Sequence, residues 1–155
     1  MSAEERFIKW KSESYPTYGE YPEFLRYETD RGELVRSKSE LIIANLLYKE
    51  DSHLHYRYEE KLYLKQSNKT IHPDFTIMSR RNGEIVYWEH AGKMDDSRYA
   101  DDFTRKINAY IKEEIFPGKN LIITYETGTV PLEVSVVKKL IKNYFFEDFL
   151  VHTSL

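Results

Sequence analysis

The chain has 155 residues, no cysteine and a formal net charge of −3 at pH 7, which suits one domain with a single core and excludes a disulfide framework or a thiolate zinc site. The negative balance argues against a protein that coats nucleic acid through bulk electrostatics, so a nucleic-acid role needs a local basic patch. Residues 1–11 are charged throughout and the most apolar stretch, 41–47, is too short to span a bilayer, so no membrane role is expected and the expected location is the cytoplasm.

Residues 2–13 have the pattern of a short amphipathic helix, and 14–32 form an arm punctuated by tyrosine and proline with little periodicity. That arm has many aromatic side chains and no pattern with which to bury them, which marks it as an interface for a second copy or a larger-complex partner. Ser37 as N-cap and Glu40 at N3 form a capping box that opens a helix to about Lys49. Residues 54–64 read as a strand. The segments 71–77 and 85–90 then alternate as strands, joined through 79–84, where Asn82-Gly83 is a strong hairpin signal. Asp95 or Asp96 starts a long helix, stopped by Pro117-Gly118, with a core stripe of Tyr99, Phe103, Ile107, Tyr110 and Ile111. A buried strand over 120–126 and a helix over 132–146, with Lys138, Lys139 and Lys142 on its outer side, complete the chain. The order α-β-β-β-α-β-α predicts an α/β fold of the α+β kind, a mixed sheet with helices packed on its faces. The expected division is an arm over 1–35, a core over 36–127 and a C-terminal helix and tail over 128–155.

Closing the hairpin brings Asp74 and Glu89 together. Two carboxylates on adjacent strands repel unless a cation or a proton is shared, and oxygen-rich pairs suit magnesium or manganese. Asp74 could instead cap a turn after Pro73, and Glu89 could instead pair with a buried lysine. Glu40 is already explained by the capping box, yet it shares a helical stripe with Ile43, Ala44 and Leu47 and so also points toward the sheet. His53 and His55 lack the further ligand that a zinc site needs. The ring of His90 points away from Glu89 in a regular strand and packs or hydrogen-bonds behind the sheet. His72 flanks Asp74. No glycine-rich phosphate loop, nucleophile elbow or dinucleotide fingerprint is present.

Four segments in order, Arg36-Ser37-Lys38-Ser39-Glu40, Pro73-Asp74-Phe75-Thr76, Trp88-Glu89-His90-Ala91-Gly92 and the run from Asn120 to Thr127, give the chain a resemblance to the PD-(D/E)xK nuclease superfamily. Over 36–127 it resembles a bacterial subgroup in which Glu-His-x-Gly replaces Glu-x-Lys. The resemblance implies a restriction-endonuclease-like core, α-β-β-β-α-β, and metal-dependent hydrolysis of phosphodiester bonds in DNA. It implies magnesium or manganese on Asp74 and Glu89, with Glu40 assisting and the backbone carbonyl of His90 as a further ligand.

The family lysine is absent, since Ala91 stands at its place. In this chemistry a cation near the metal orients the attacking water and offsets developing charge. Lys106 is the first candidate to replace it, at the edge of the long helix's core stripe, where it either snorkels to solvent or reaches the carboxylates. Lys93 and Lys61 are the alternatives. Lys93, Arg80, Arg81, Lys138, Lys139 and Lys142 are the candidate nucleic-acid contacts. Two readings compete with an endonuclease: a catalytically inactive nuclease-fold module that binds or regulates, and an accessory protein acting only through protein contacts.

Overall fold

Local chemistry sets most helix ends. The Ser2 side chain accepts from the Glu5 N–H at the start of α1 (Ala3–Ser12), and Ser37 and Glu40 form both halves of a capping box on α2 (Lys38–Tyr48). Asp96 caps α3 (Ser97–Lys112), accepting from Arg98 and Tyr99. The last helix is α4 (Val134–Phe146). These belong to a computed structural model that describes residues 1–146. Among the described residues it is a mixed α+β fold with four α-helices and a mixed four-stranded sheet.

That sheet has the order β3-β6-β7-β8, formed by β3 (Leu54–Tyr58), β6 (Phe75–Ser79), β7 (Ile85–Ala91) and β8 (Leu121–Tyr125). The first two junctions are antiparallel, and β8 joins β7 in parallel after the α3 crossover. Two short ladders flank it: β1 (Tyr27–Glu28) with β2 (Leu34–Val35), and β4 (Leu62–Leu64) with β5 (Lys69–Ile71). Helices α2 and α4 cover one face of the sheet, their Ile43, Leu47, Val137 and Ile141 packing with Tyr56, Phe75, Trp88 and Ile122. Helix α3 covers the other, where Ala109 and Tyr110 meet Leu64, Ile71 and Leu121. No helix among the described residues is long and apolar enough to cross a membrane.

Three elements differ in their bounds from the sequence expectation. The strand expected over 54–64 breaks at Glu59, whose φ of 53° turns the chain left-handed, so 62–64 leaves the sheet to pair with 69–71. The expected strand over 71–77 divides as well, between β5, which ends at Ile71, and β6, which starts at Phe75. Helix α3 ends before Pro117-Gly118, because Glu114 adopts φ 63° and a Schellman motif closes the helix there. Its two bonds run from the Glu114 N–H to the Ile111 carbonyl at 2.9 Å and from the Ile115 N–H to the Tyr110 carbonyl at 3.0 Å. Ile111 is consequently 42% exposed and outside the core stripe. The stripe that faces the sheet is Tyr99, Phe103, Lys106 and Tyr110, at i, i+4, i+7 and i+11, with Ile107 packed beside it against the core.

The arm closes back on its own chain. Thr17 bridges to Glu60, Leu25 and Tyr27 pack against the core, and Tyr15 accepts from the Tyr58 N–H at 3.2 Å. Arg57 ties these parts to α1, stacking 3.7 Å from the Trp10 ring centroid and 5.0 Å from that of Tyr15. The proposed reason for an interface, tyrosines without a place to pack, therefore fails for Tyr15 and Tyr27.

Candidate active site

The Asn82-Gly83 hairpin sets the register that builds the site. Phe75 pairs with Trp88, so Asp74, one residue before β6, falls opposite Glu89, and opposed residues of an antiparallel pair face the same way. That is the α3 face. Glu89 is 1% exposed and accepts from the Tyr110 hydroxyl at 2.7 Å, and Tyr110 is the residue that the Schellman motif anchors. Asp74 is half-buried and accepts from the His90 backbone N–H through Oδ2 at 2.7 Å.

Lys106 reaches this pair. Its Nζ stands 3.6 Å from Glu89 Oε2, because the side chain leaves from the middle of the α3 stripe rather than its edge. Lys93 is exposed in the turn after β7, and Lys61 is exposed in the link between β3 and β4. Neither forms an ion pair with Asp74 or Glu89, so of the three lysines the fold delivers Lys106 to the site, against Glu89.

Glu40 comes from the other layer. Its Oε1 takes all three of its hydrogen bonds, from the Arg36 and Ser37 N–H groups at 3.0 and 3.1 Å and from the Tyr58 hydroxyl at 2.9 Å. Its charge nevertheless acts on Asp74. Capping and proximity to the site are both present, and they fall on different aspects of one side chain.

The electrostatics are those of crowded acids. Burial, then the charges of Glu89 and Glu40, push the Asp74 carboxyl well above the usual range, with Lys106 and the His90 N–H only partly opposing. Burial also raises Glu89, against Lys106, Tyr110 and the Asp74 backbone N–H, and it raises Glu40. For Lys106, burial favours the neutral amine, but Glu89, Asp74 and Tyr99 outweigh it and hold its pKa above the ordinary lysine value. The lysine is a fixed cation at neutral pH.

A second network lies behind the sheet. The His90 ring places Nε2 2.6 Å from Glu126 Oε1 and Nδ1 2.8 Å from Thr124 Oγ1, and the Trp88 indole donates to that same hydroxyl at 3.1 Å. All three bonds are satisfied with the proton on Nε2. Ser39 also donates to Glu126 Oε1. Glu126 thus joins α2, beside Glu40, to β7, beside Glu89. Tyr99 completes the surroundings, accepting from the Gly92 N–H at 3.0 Å with its hydroxyl 3.5 Å from the His90 carbonyl.

Hard oxygen donors with raised carboxyl pKa values fit a magnesium or manganese ion, which removes the repulsion without a proton. The hydrogen bond to Asp74 falls on Oδ2 and those to Glu40 on Oε1, which leaves Asp74 Oδ1 and Glu40 Oε2 outside them. Among the described residues no three His, Cys, Asp or Glu side chains gather into a metal-holding cluster. The fold therefore offers a carboxylate pair with neighbouring oxygens rather than a closed cage.

The remaining sequence candidates are not brought to this pair. Arg80 forms a bidentate pair with Glu4 at 2.9 and 2.5 Å, and Arg81 donates to the Tyr144 carbonyl at 3.0 Å. Both sit in the hairpin turn, at the far end of β6 from Asp74. Lys138 and Lys142 line a groove between α2 and α4, and Lys139 is exposed on the same helix, across the sheet from Glu89. His53 packs edge-on against Phe146 while His55 lies beside Asp51 and Trp10.

Sequence reasoning assigned no site role to Tyr110, Tyr58, Tyr99 or Glu126. The tyrosines at helical or strand spacing read as core, and only their hydroxyls carry the polar role. Glu126 had one available signal, a carboxylate ending an otherwise apolar strand. No family model matches the chain, and no curated protein or solved structure matches it.

Proposed function

We propose that the chain is a divalent-metal-dependent nuclease of the restriction-endonuclease-like, PD-(D/E)xK class, hydrolysing phosphodiester bonds in DNA. One observation carries the reading: Lys106 Nζ lies 3.6 Å from Glu89 Oε2, on the same sheet face as Asp74. The order of α2, β3, β6, β7, α3 and β8 supports it, as does an acid at each of the three places the class uses.

Asp74 and Glu89 would hold the ion, with Glu40 and the His90 carbonyl as neighbouring oxygens. When bound, magnesium or manganese supplies Lewis acidity toward the phosphodiester and makes a water more acidic. The Lys106 ammonium faces the space beside the pair, where it stabilises negative charge developing on phosphoryl oxygens. It remains protonated, so it acts as a cation rather than as a general base. Tyr110 holds the Glu89 carboxylate in one orientation, and the His90 N–H does the same for Asp74. Ala91 at the usual lysine position favours a rival reading, a nuclease-like module without catalysis.

Incubation with supercoiled plasmid and with single-stranded DNA, in magnesium and in EDTA, separates the two. Cleavage in magnesium that Asp74→Asn abolishes is the expected result. Binding without cleavage in any divalent metal would leave the inactive module.

A further inference from the structure

Beside Lys106 opens a pocket whose far wall the carboxylate chemistry does not use. Tyr18, Tyr21 and Phe24 of the arm and His72 line it, in a volume of about 510 Å³, within the range of small-ligand sites. The rings follow one another, with centroids 4.9 Å apart for Tyr18 and His72, 6.4 Å for Tyr18 and Tyr21, and 6.3 Å for Tyr21 and Phe24. Tyr21 is 54% and Phe24 47% exposed, so the described residues leave them largely uncovered.

The backbone here is held under strain. Tyr21 has φ 52°, a left-handed conformation unfavourable to a bulky residue, and such positions persist only when surroundings over-determine them. Arg36 does so, donating to the Tyr21 and Glu20 carbonyls at 2.8 and 2.7 Å and to Glu59 Oε2 at 2.7 Å. Its guanidinium is thereby consumed inside the protein. Arg36 is a brace for the aromatic wall, and Lys106 is the lysine of the lining.

This distribution decides what the pocket can receive. The chain carries a net charge of −3, and the basic residues of the hairpin turn and α4 are remote from the cleft; Lys106 and Lys61, whose charges act on His72, are too few to grip a duplex backbone there. Stacking is an affinity source that needs no added charge, and it requires a base whose face is free. We propose that this pocket is a stacking subsite for one unpaired nucleobase, so that the substrate is single-stranded at or next to the bond presented to Asp74, Glu89 and Lys106. The inference rests on the nuclease reading and narrows its substrate.

Fluorescence of 2-aminopurine in an oligonucleotide, titrated with the wild-type protein in EDTA, tests the subsite without cleavage. Quenching is expected with the single strand and not with the duplex. Tyr21→Ala and Phe24→Ala should each weaken single-strand binding about fivefold or more, whereas Tyr21→Trp and Phe24→Trp should retain it, with melting curves confirming folded protein. Alanine variants that bind like wild type, or equal quenching by duplex, would overturn the proposal. Cleavage in magnesium is scored separately. If it is lost in Glu89→Gln but indifferent to Phe24→Ala and to strandedness, the subsite falls and the nuclease stands. Quenching with no cleavage keeps the subsite and removes the nuclease.

Discussion

Replacing Lys106 by methionine keeps the length and packing of the stem while deleting its charge. At the 3.6 Å separation from Glu89 Oε2, and with an effective dielectric of about 20, the attraction is about 4–5 kcal/mol before desolvation. The lysine side chain is 33% exposed, so screening and desolvation leave roughly half of that or less. A hundredfold loss of rate corresponds to about 2.7 kcal/mol, the size usual for a positioned charged or acid–base group. With about 2–2.5 kcal/mol as the ceiling, Lys106→Met should slow single-turnover DNA cleavage by up to about 30–70-fold. Lys93→Met, which removes an exposed lysine of the neighbouring turn, should stay within about threefold of wild type by comparison. Since the Lys106 pKa is held above its ordinary value, the ammonium persists up through the unfolded lysine range and its contribution disappears only at still higher pH. The wild-type rate should accordingly show no loss between neutral and mildly alkaline pH from this group. A folded Lys106→Met protein that cleaves like wild type, or the reverse ranking of the two variants, would refute the assignment.

Removing one acid from the pair should leave the metal-free protein level or more stable. The raised Asp74 and Glu89 carboxyls bind more protons folded than unfolded, so their effect is to lower stability as pH rises through their folded pKa values. Denaturant titrations of Asp74→Asn and Glu89→Gln should show that difference from wild type shrinking on acidification toward the ordinary carboxylate range; marked destabilisation of both at neutral pH would make them structural partners instead. Tyr110→Phe strips a 2.7 Å hydrogen bond from the buried Glu89 carboxylate and should cost about 1.5–3 kcal/mol by denaturant melts. His55 is depressed to about 4, chiefly by burial and by Arg31, so its effect runs opposite: stability falls as pH drops from about 6.5 toward 4, and His55→Gln should flatten that limb of the melting profile.

Much of the frame could be read from spacing because local chemistry fixed it. The Ser37–Glu40 capping box and the Asn82-Gly83 hairpin need no tertiary information, and the hairpin alone puts Asp74 opposite Glu89. Left-handed residues that are not glycine were the main obstacle. Glu59 ends β3 and Glu114 ends α3, and neither carries the glycine or proline signal by which such breaks are found. Misplacing the end of α3 drew Ile111 into the core stripe and pushed Lys106 to its margin, when Lys106 is a member of the stripe. The aromatic arm was hard to place for another reason: lack of periodicity shows that a segment does not bury itself as a helix or strand, but not which surface it lies on. Arg36, immediately before the cap residue Ser37, decides that surface through bonds to Glu20, Tyr21 and Glu59, and such long-range pairing leaves no local pattern.

Calorimetric titration of manganese into the protein at about pH 6, in two buffers of different ionisation enthalpy, asks directly whether Asp74 and Glu89 share one divalent ion. Carboxyls with raised pKa values must give up protons when a cation takes their place. Binding with proton release in wild type, and its loss in Asp74→Asn and Glu89→Gln, is the predicted result. No binding, or binding unchanged in both variants, would contradict it.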